Sequence, residues 1–335
     1  MKYFVRRLPV VLVILLALTL AAPALAQGGD PLCTGLSEPD CQLLLGASAA
    51  MAGVTSFTTP VWAIDLNVSD GTQEFMFNAN GSGGFQFAPD GSEFLIHLVI
   101  EQASIVSPDL TQSGSAEIIL TQDMGYINYN GEWYGAPITE EDLAEMGLGD
   151  LGSLTDLGGM LGGDTASLGD AASLAGIDLT GVITTTRGAD EQVGGQPVAA
   201  FTTDINIAQL VVALLSSPLV GEALGMGGDE LGLGEMTPED IQMMGMFLTP
   251  LLSNTTLSIG QWVGTSDQML HKIALNMVLN LDLSMFDPEI GAITGDISFM
   301  SDIDAFNQPL AVTFPQSYRP IEELEAQLEA LGVGF

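Results

Sequence analysis

From His271 onward the chain reads HKIALNMVLNLDLSMF, and the alternation holds throughout: Ile273, Leu275, Met277, Leu279, Leu281 and Leu283 share one parity, with Lys272, Asn276, Asn280, Asp282 and Ser284 on the other. A strict period of two is a strand with one greasy and one wet face. At about 3.3 Å per residue it runs for about 40 Å, far beyond the five or six residues usual in globular proteins. A chain carrying such a strand must build a large sheet around it and find something apolar to lay against one side.

The rest of the sequence supplies matching strands. VWAIDLNV, QEFMFNAN, FQF, EFLIHLVIEQASI, SAEIILTQ and MGYINYNGEWY follow one another between turn residues, with Asn130-Gly131 at a hairpin tip. TGVITTTRG and QPVAAFTTDI, joined by ADEQVGG, then TTLSIGQWVG, the opening strand and ITGDISFMSDID add a second meander. Helices occupy the remainder. Ser37-Glu38-Pro39-Asp40 is a capping box ahead of a helix with Leu44, Ala47, Met51 and Val54 in line. IAQLVVALLSS and IQMMGMFLT, the latter capped by Thr237-Pro238-Glu239-Asp240 and stopped by Pro250, are apolar around most of their circumference, as a largely buried helix is. PIEELEAQLEAL aligns Ile321, Leu324, Leu328 and Leu331 before Gly332. The expected architecture is α+β: one large curved antiparallel sheet, a half-barrel of about nine to eleven strands, wrapped over central helices.

Residues 1–26 have the basic start (Lys2, Arg6, Arg7), apolar run and small-x-small ending of a secretory signal, with a retained anchor as the alternative. The expected location is therefore extracytoplasmic, in the cell envelope or secreted. Residues 27–335 read as a single domain interrupted by Gly/Leu-rich insertions at 147–176 and 221–236, whose strand and helix patterns on either side need each other for burial. Beyond the signal, only Arg187, Lys272 and Arg319 stand against 42 Asp and Glu, a formal charge of −39. Nucleic acid is excluded as a partner on charge. With 47% hydrophobic residues the chain is folded and acidic, not disordered. That acidity reads as solubility or as divalent-cation binding, although no Asp-x-Asp-x-Asp-Gly loop or GGxGxD repeat occurs. Cys33 and Cys41, the two cysteines, form one local disulfide in an oxidising compartment.

No GxSxG, HExxH, phosphate-binding loop or strand-linked GxGxxG motif occurs, and no cofactor is implied. His97 and His271 read as structural, and Asp65, Asp282 and Asp296 as a solvated sheet face. The chain is expected not to be an enzyme. Instead, Met243, Met244, Met246 and Phe247 gather adaptable side chains on one helix, of the kind that repacks around varied ligands. Candidate cavity residues are Phe75, Phe77, Phe94, Leu214, Met243, Met244, Phe247, Leu251, Trp262, Leu275 and Met277. Burying a sixteen-carbon chain is worth on the order of 12 kcal/mol at ~0.8 kcal/mol per methylene, before ordering costs.

The order of elements, the YINYNGEWY hairpin, DINIAQLVVALL and above all AFNQPLAVTFP (residues 305–315) resemble the LolA/LppX-like superfamily of periplasmic lipoprotein carriers and cell-envelope lipid-binding lipoproteins. The resemblance spans roughly residues 40–330. It implies a half-barrel over helices with an apolar cavity between, and lipid or a lipidated protein as ligand; the shortage of basic residues for docking on an anionic membrane adds an envelope protein or a divalent bridge as an expected partner. The chain departs from the family in lacking a lipid-attachment cysteine, in its acidity and in its glycine-rich insertions. Two alternatives stand beside the carrier: a structural or sensory envelope protein with a filled core, and a calcium-dependent acidic surface protein.

Overall fold

The computed structural model describes residues 31–88, 93–108, 110–139, 179, 181–215, 238–282 and 292–330. The expected signal, both Gly/Leu-rich insertions and the end of the opening strand lie outside these residues. A 3-10 helix, Pro31–Cys33, leads to α1 (Glu38–Met51); then come β1 (Ser56–Ser69), β2 (Glu74–Phe87), β3 (Phe94–Ser107), β4 (Leu110–Thr121), β5 (Met124–Tyr129) and β6 (Glu132–Pro137). The second half runs β7 (Ile183–Val193), β8 (Gln196–Asn206), α2 (Ile207–Leu215), α3 (Pro238–Leu252), β9 (Thr256–Gly264), β10 (Leu270–Asp282), β11 (Ala292–Asp302), β12 (Arg319–Pro320) and α4 (Ile321–Ala330).

All twelve strands form one open curved sheet in the order β12-β6-β5-β4-β3-β2-β1-β11-β10-β9-β8-β7. Pairing is antiparallel except for the two-residue β12, which lies parallel to β6. The two meanders meet where β1 pairs β11, from Trp62 opposite Ser301 to Ser69 opposite Thr294. The hydrophobic cluster of one parity fixes this register, because a one-residue slip would turn Trp62, Ile64 and Leu66 to water.

Two elements differ from the sequence expectation. GSGG is not a turn: β2 runs through it, so QEFMFNAN and FQF are one strand. Its glycines serve close approach, since a Cβ on Gly81 would sit 1.8 Å from the Val99 carbonyl oxygen and one on Gly84 2.4 Å from Leu310 Cδ1. Pro250 does not stop α3, which continues to Leu252. So near the C-terminus a proline removes one helical hydrogen bond and the last turn persists. Asn130 and Gly131, with φ of 54° and 84°, do form the tight hairpin expected of them.

The helices share one face of the sheet, called inner here. Ser37 caps α1, and Leu44, Ala47 and Met51 bury against Phe57, Trp62, Phe201, Val263 and Ile273. The Cys33–Cys41 disulfide ties the 3-10 helix to the first turns of α1, and Arg187 Nε on β7 donates to Asp40 Oδ1 at 3.1 Å. At the other end of the sheet α4 places Leu324 and Leu328 on Tyr134, and Gln327 Nε2 donates to the Tyr134 hydroxyl at 3.0 Å. α2 and α3 pack on each other, and α3 also touches β10. After Ile303 and Phe306 have joined the inner core, residues 310–318 cross the outer face as a strap. Leu310 lies over Gly84 while its N–H donates to Gln86 Oε1 at 2.8 Å, and Phe314 and Tyr318 meet Tyr126 edge-on.

Candidate functional site

Pairing register assigns every strand residue a face. Among the described residues, no inward position on β1, β2, β3, β8, β9, β10 or β11 carries a charge. The expected apolar wall therefore runs uncharged over seven neighbouring strands, interrupted by the buried polar side chains of Thr59, Ser301, Gln261 and Thr203. The helical cover given by the described residues is not continuous over it. Going down the four central strands, the row Ala79–Ile64–Phe299–Leu275 is fully buried. In the next row Phe77 and Leu66 are buried but Ile297 and Met277 are only half-buried, and one row further Phe75, Val68 and Leu279 are half-buried as well. The wall thus outruns α1 by about 13 Å, two rows at ~3.3 Å per residue.

That uncovered end is where α2 and α3 enter. α2 leaves β8 directly at Asn206, and α3 ends four residues before β9 begins. Leu210 and Ala213 of α2 reach the wall, yet Met243, Met246 and Phe247 of α3 remain 49%, 67% and 51% exposed, and Leu214 of α2 37%. On the sheet side Val68, Phe75, Ile105, Leu257, Met277 and Ile297 are partly buried against the core; together with the apolar helix pair they are called the trough below. Its side chains are apolar and several are methionine or phenylalanine. Among the described residues that wall it, none is titratable.

The sequence-predicted cavity residues divide accordingly. Phe75, Met277 and, one row up, Phe77 and Leu275 stand on the inner wall at or beside the trough, with Leu214, Met243, Phe247 and Leu251 on the helix pair. The Met244 side chain lies outside the described residues. Two candidates stand apart from the others. Phe94 is inward but pairs with Phe87 at the far end of β2, twelve residues from Phe75, or about 40 Å. Trp262 faces outward: it shares the parity of Ser258 and Gly260, its ring lies over Gly260 and under Lys272 Nζ at 4.9 Å, and its Nε1–H donates to Glu191 Oε2 at 3.1 Å. Val68, Ile105, Leu257 and Ile297, which the sequence does not single out, stand beside the other candidates on the inner wall. Each has the right parity in its own strand, but only the pairing of strands distant in sequence brings them together.

The titratable groups are held by structural partners. His97 Nε2 lies 2.8 Å from Glu117 Oε1 on the outer face, and His271 Nε2 lies 3.0 Å from Asp267 Oδ2 with its ring edge-on to Phe306. A hydrogen bond from Ser37, helped by Arg187, holds the Asp40 carboxyl below its usual range; Tyr134 and then Arg319 do the same for Glu132. Among the described residues no three His, Cys, Asp or Glu side chains gather as metal ligands, and no helix is long and apolar enough to cross a membrane.

No protein-family model matches the sequence, and no curated protein matches it either. Solved structures do. The chain is similar to LprF from Mycobacterium bovis at 12% identity and a TM-score of 0.35, over 84% of this chain and 99% of that one. It is similar to the lipoprotein LppX of Mycobacterium tuberculosis at 12% identity and a TM-score of 0.33, over 83% and 100%. A putative outer membrane lipoprotein-sorting protein domain from Vibrio parahaemolyticus aligns at 8% identity and a TM-score of 0.20, over 81% and 93%.

Proposed function

We propose that this protein is an exported, noncatalytic carrier or binder of a lipid or of a lipidated protein, held by its acyl chain in the trough between the lower inner wall and the α2–α3 pair. The observation that carries this reading is the mismatch between wall and cover: a charge-free apolar face extends two rows beyond α1, and the helices beside it leave methionine and phenylalanine side chains half exposed. Leaving such area wet costs about 25 cal/mol per Å², and a guest chain recovers that cost along with its own. Methionine suits the purpose because its unbranched thioether repacks around guests of different shape.

The acidic exterior sets the route of exchange. The three basic residues beyond position 26 are all engaged, Arg187 with Asp40 and Asp190, Arg319 with Glu132 and Glu323, and Lys272 on Trp262. None is left to form a basic membrane-docking face, so loading goes through an envelope partner protein or a divalent bridge instead of direct contact with anionic lipid.

The test is native mass spectrometry of the protein purified without detergent, followed by uptake of a fluorescent sixteen-carbon fatty acid. Bound lipid or saturable uptake is expected, and Met277→Asp should weaken uptake at least tenfold, since a carboxylate facing an acyl chain loses its water without gaining a partner. A protein that carries no lipid and takes up no probe at any salt concentration has a filled core instead, and the carrier reading fails. Uptake indifferent to Met277→Asp would also refute the placement of the site.

A further inference from the structure

On the outer face, behind the same four central strands, the register sets two rows side by side. One is Asn78–Asp65–Ser298–Asn276 and the other Met76–Asn67–Asp296–Val278, each crossing β2, β1, β11 and β10 in turn. Together with Leu66, Met277 and Ile297 they line a depression of about 240 Å³ whose exposed lining is mostly apolar, with the polar groups set into it. Its polar groups are partly preset: Asn78 Nδ2 donates to Asp65 Oδ1 at 2.9 Å and Ser298 Oγ to Asp65 Oδ2 at 3.5 Å. Lys272, the basic residue of β10, stands four residues up the strand, about 13 Å away, on Trp262. Two carboxylates, three amides and one hydroxyl therefore face solvent together, with Met76 and Val278 at opposite ends of one row.

Five of these eight positions are Asn or Asp, which are among the residues least suited to strands. They occupy the middle of long central strands, so guarding an exposed sheet edge does not explain them. Solubility explains the two aspartates but not the three uncharged asparagines, for which Thr would serve water equally and the strand better. A cluster that breaks a local rule where the fold has no use for the breach points to function.

We propose that this depression binds a saccharide, one or two pyranose units of a neutral glycan. Each amide both donates and accepts and each carboxylate accepts twice, which matches vicinal hydroxyls that do both; Met76 and Val278 offer apolar contact for ring C–H groups. A metal ion fits less well, because only two carboxylates, Asp65 and Asp296, gather here and among the described residues no group of three His, Cys, Asp or Glu side chains forms. An anion is repelled. The volume is below the several hundred Å³ of tight small-molecule sites, so affinity is weak and one glycan is held by few units.

The site lies on the opposite face from the apolar trough and stands or falls independently of the carrier reading. The test is ligand-observed saturation-transfer NMR on the full chain with maltose, cellobiose, lactose, mannobiose and di-N-acetylchitobiose. At least one should bind with a Kd on the order of 1 mM. Asp65→Ala and Asn276→Thr should each weaken it at least fivefold, and Asn276→Thr should also raise the urea midpoint, because the position then suits a strand. No transfer from any of the five at about 10 mM, or transfer that survives in the double variant, overturns the proposal.

Discussion

Gly84 offers a sharp test of how the strap holds the outer face. A Cβ at this position would lie 2.4 Å from Leu310 Cδ1 and 3.2 Å from the Phe57 carbonyl oxygen. Carbon atoms in contact sit about 3.5–4.0 Å apart, so in Gly84→Ala the leucine terminus must retreat by more than about 1 Å. Leu310 is half-buried, anchored by its own N–H to Gln86 Oε1 at 2.8 Å, and cannot leave without losing packing. Overpacking of this kind costs about 1–3 kcal/mol. Leu310→Ala alone should cost about 1–2 kcal/mol, roughly half the loss of a fully buried leucine. In the double variant the new methyl occupies space the leucine gave up, so the two losses should fall short of their sum by about 1 kcal/mol. Urea unfolding of the four proteins, with slopes compared to confirm a common denatured state, measures this. If the losses add to within about 0.5 kcal/mol, Gly84 is not there to admit Leu310, and the strap does not rest on β2 as described.

Two further outcomes follow from charge. The formal charge of −36 leaves most carboxylates without a cation, so the melting temperature should rise with sodium chloride over roughly 0.05–1 M as their repulsion is screened; a salt-insensitive melt would count against this. The Asp40 carboxyl is depressed first by Ser37 and then by Arg187, so its contribution is complete above its ordinary value of 3.8 and drains away as pH falls through the lower folded-state value. The stability difference between the native protein and Ser37→Ala, followed by urea midpoints, should accordingly shrink between neutral pH and strong acid; a constant difference would mean that Ser37 acts as a helix cap alone.

Much of this protein was legible because its signals are local. The alternation in β10, the capping box at Ser37 and the Asn130-Gly131 tip each depend on a few adjacent residues, and each stands where the sequence placed it. GSGG misled because glycine marks a turn and a close approach with the same letter; which of the two applies depends on Val99 and Leu310, which arrive from elsewhere in the chain. The strap of residues 310–318 carries no period at all, and its course is set by where glycines leave room on the outer face.

The sequence by itself determined which side of each strand is apolar, since side chains alternate with a period of two whatever the strand pairs with. It therefore determined that a charge-free wall would exist, and could even have turned Trp262 outward by its parity with Ser258 and Gly260. Only the tertiary structure decided which strands stand side by side. The pairing of β1 with β11 joins residues more than two hundred positions apart, such as Asp65 and Ser298. That pairing sets Val68 and Ile297 beside Met277 at the end of the wall that α1 fails to cover, leaves Phe94 about 40 Å from Phe75, and gathers five strand-averse side chains into one depression behind them. Register between distant strands is a property of the whole packed sheet, and no window of sequence contains it.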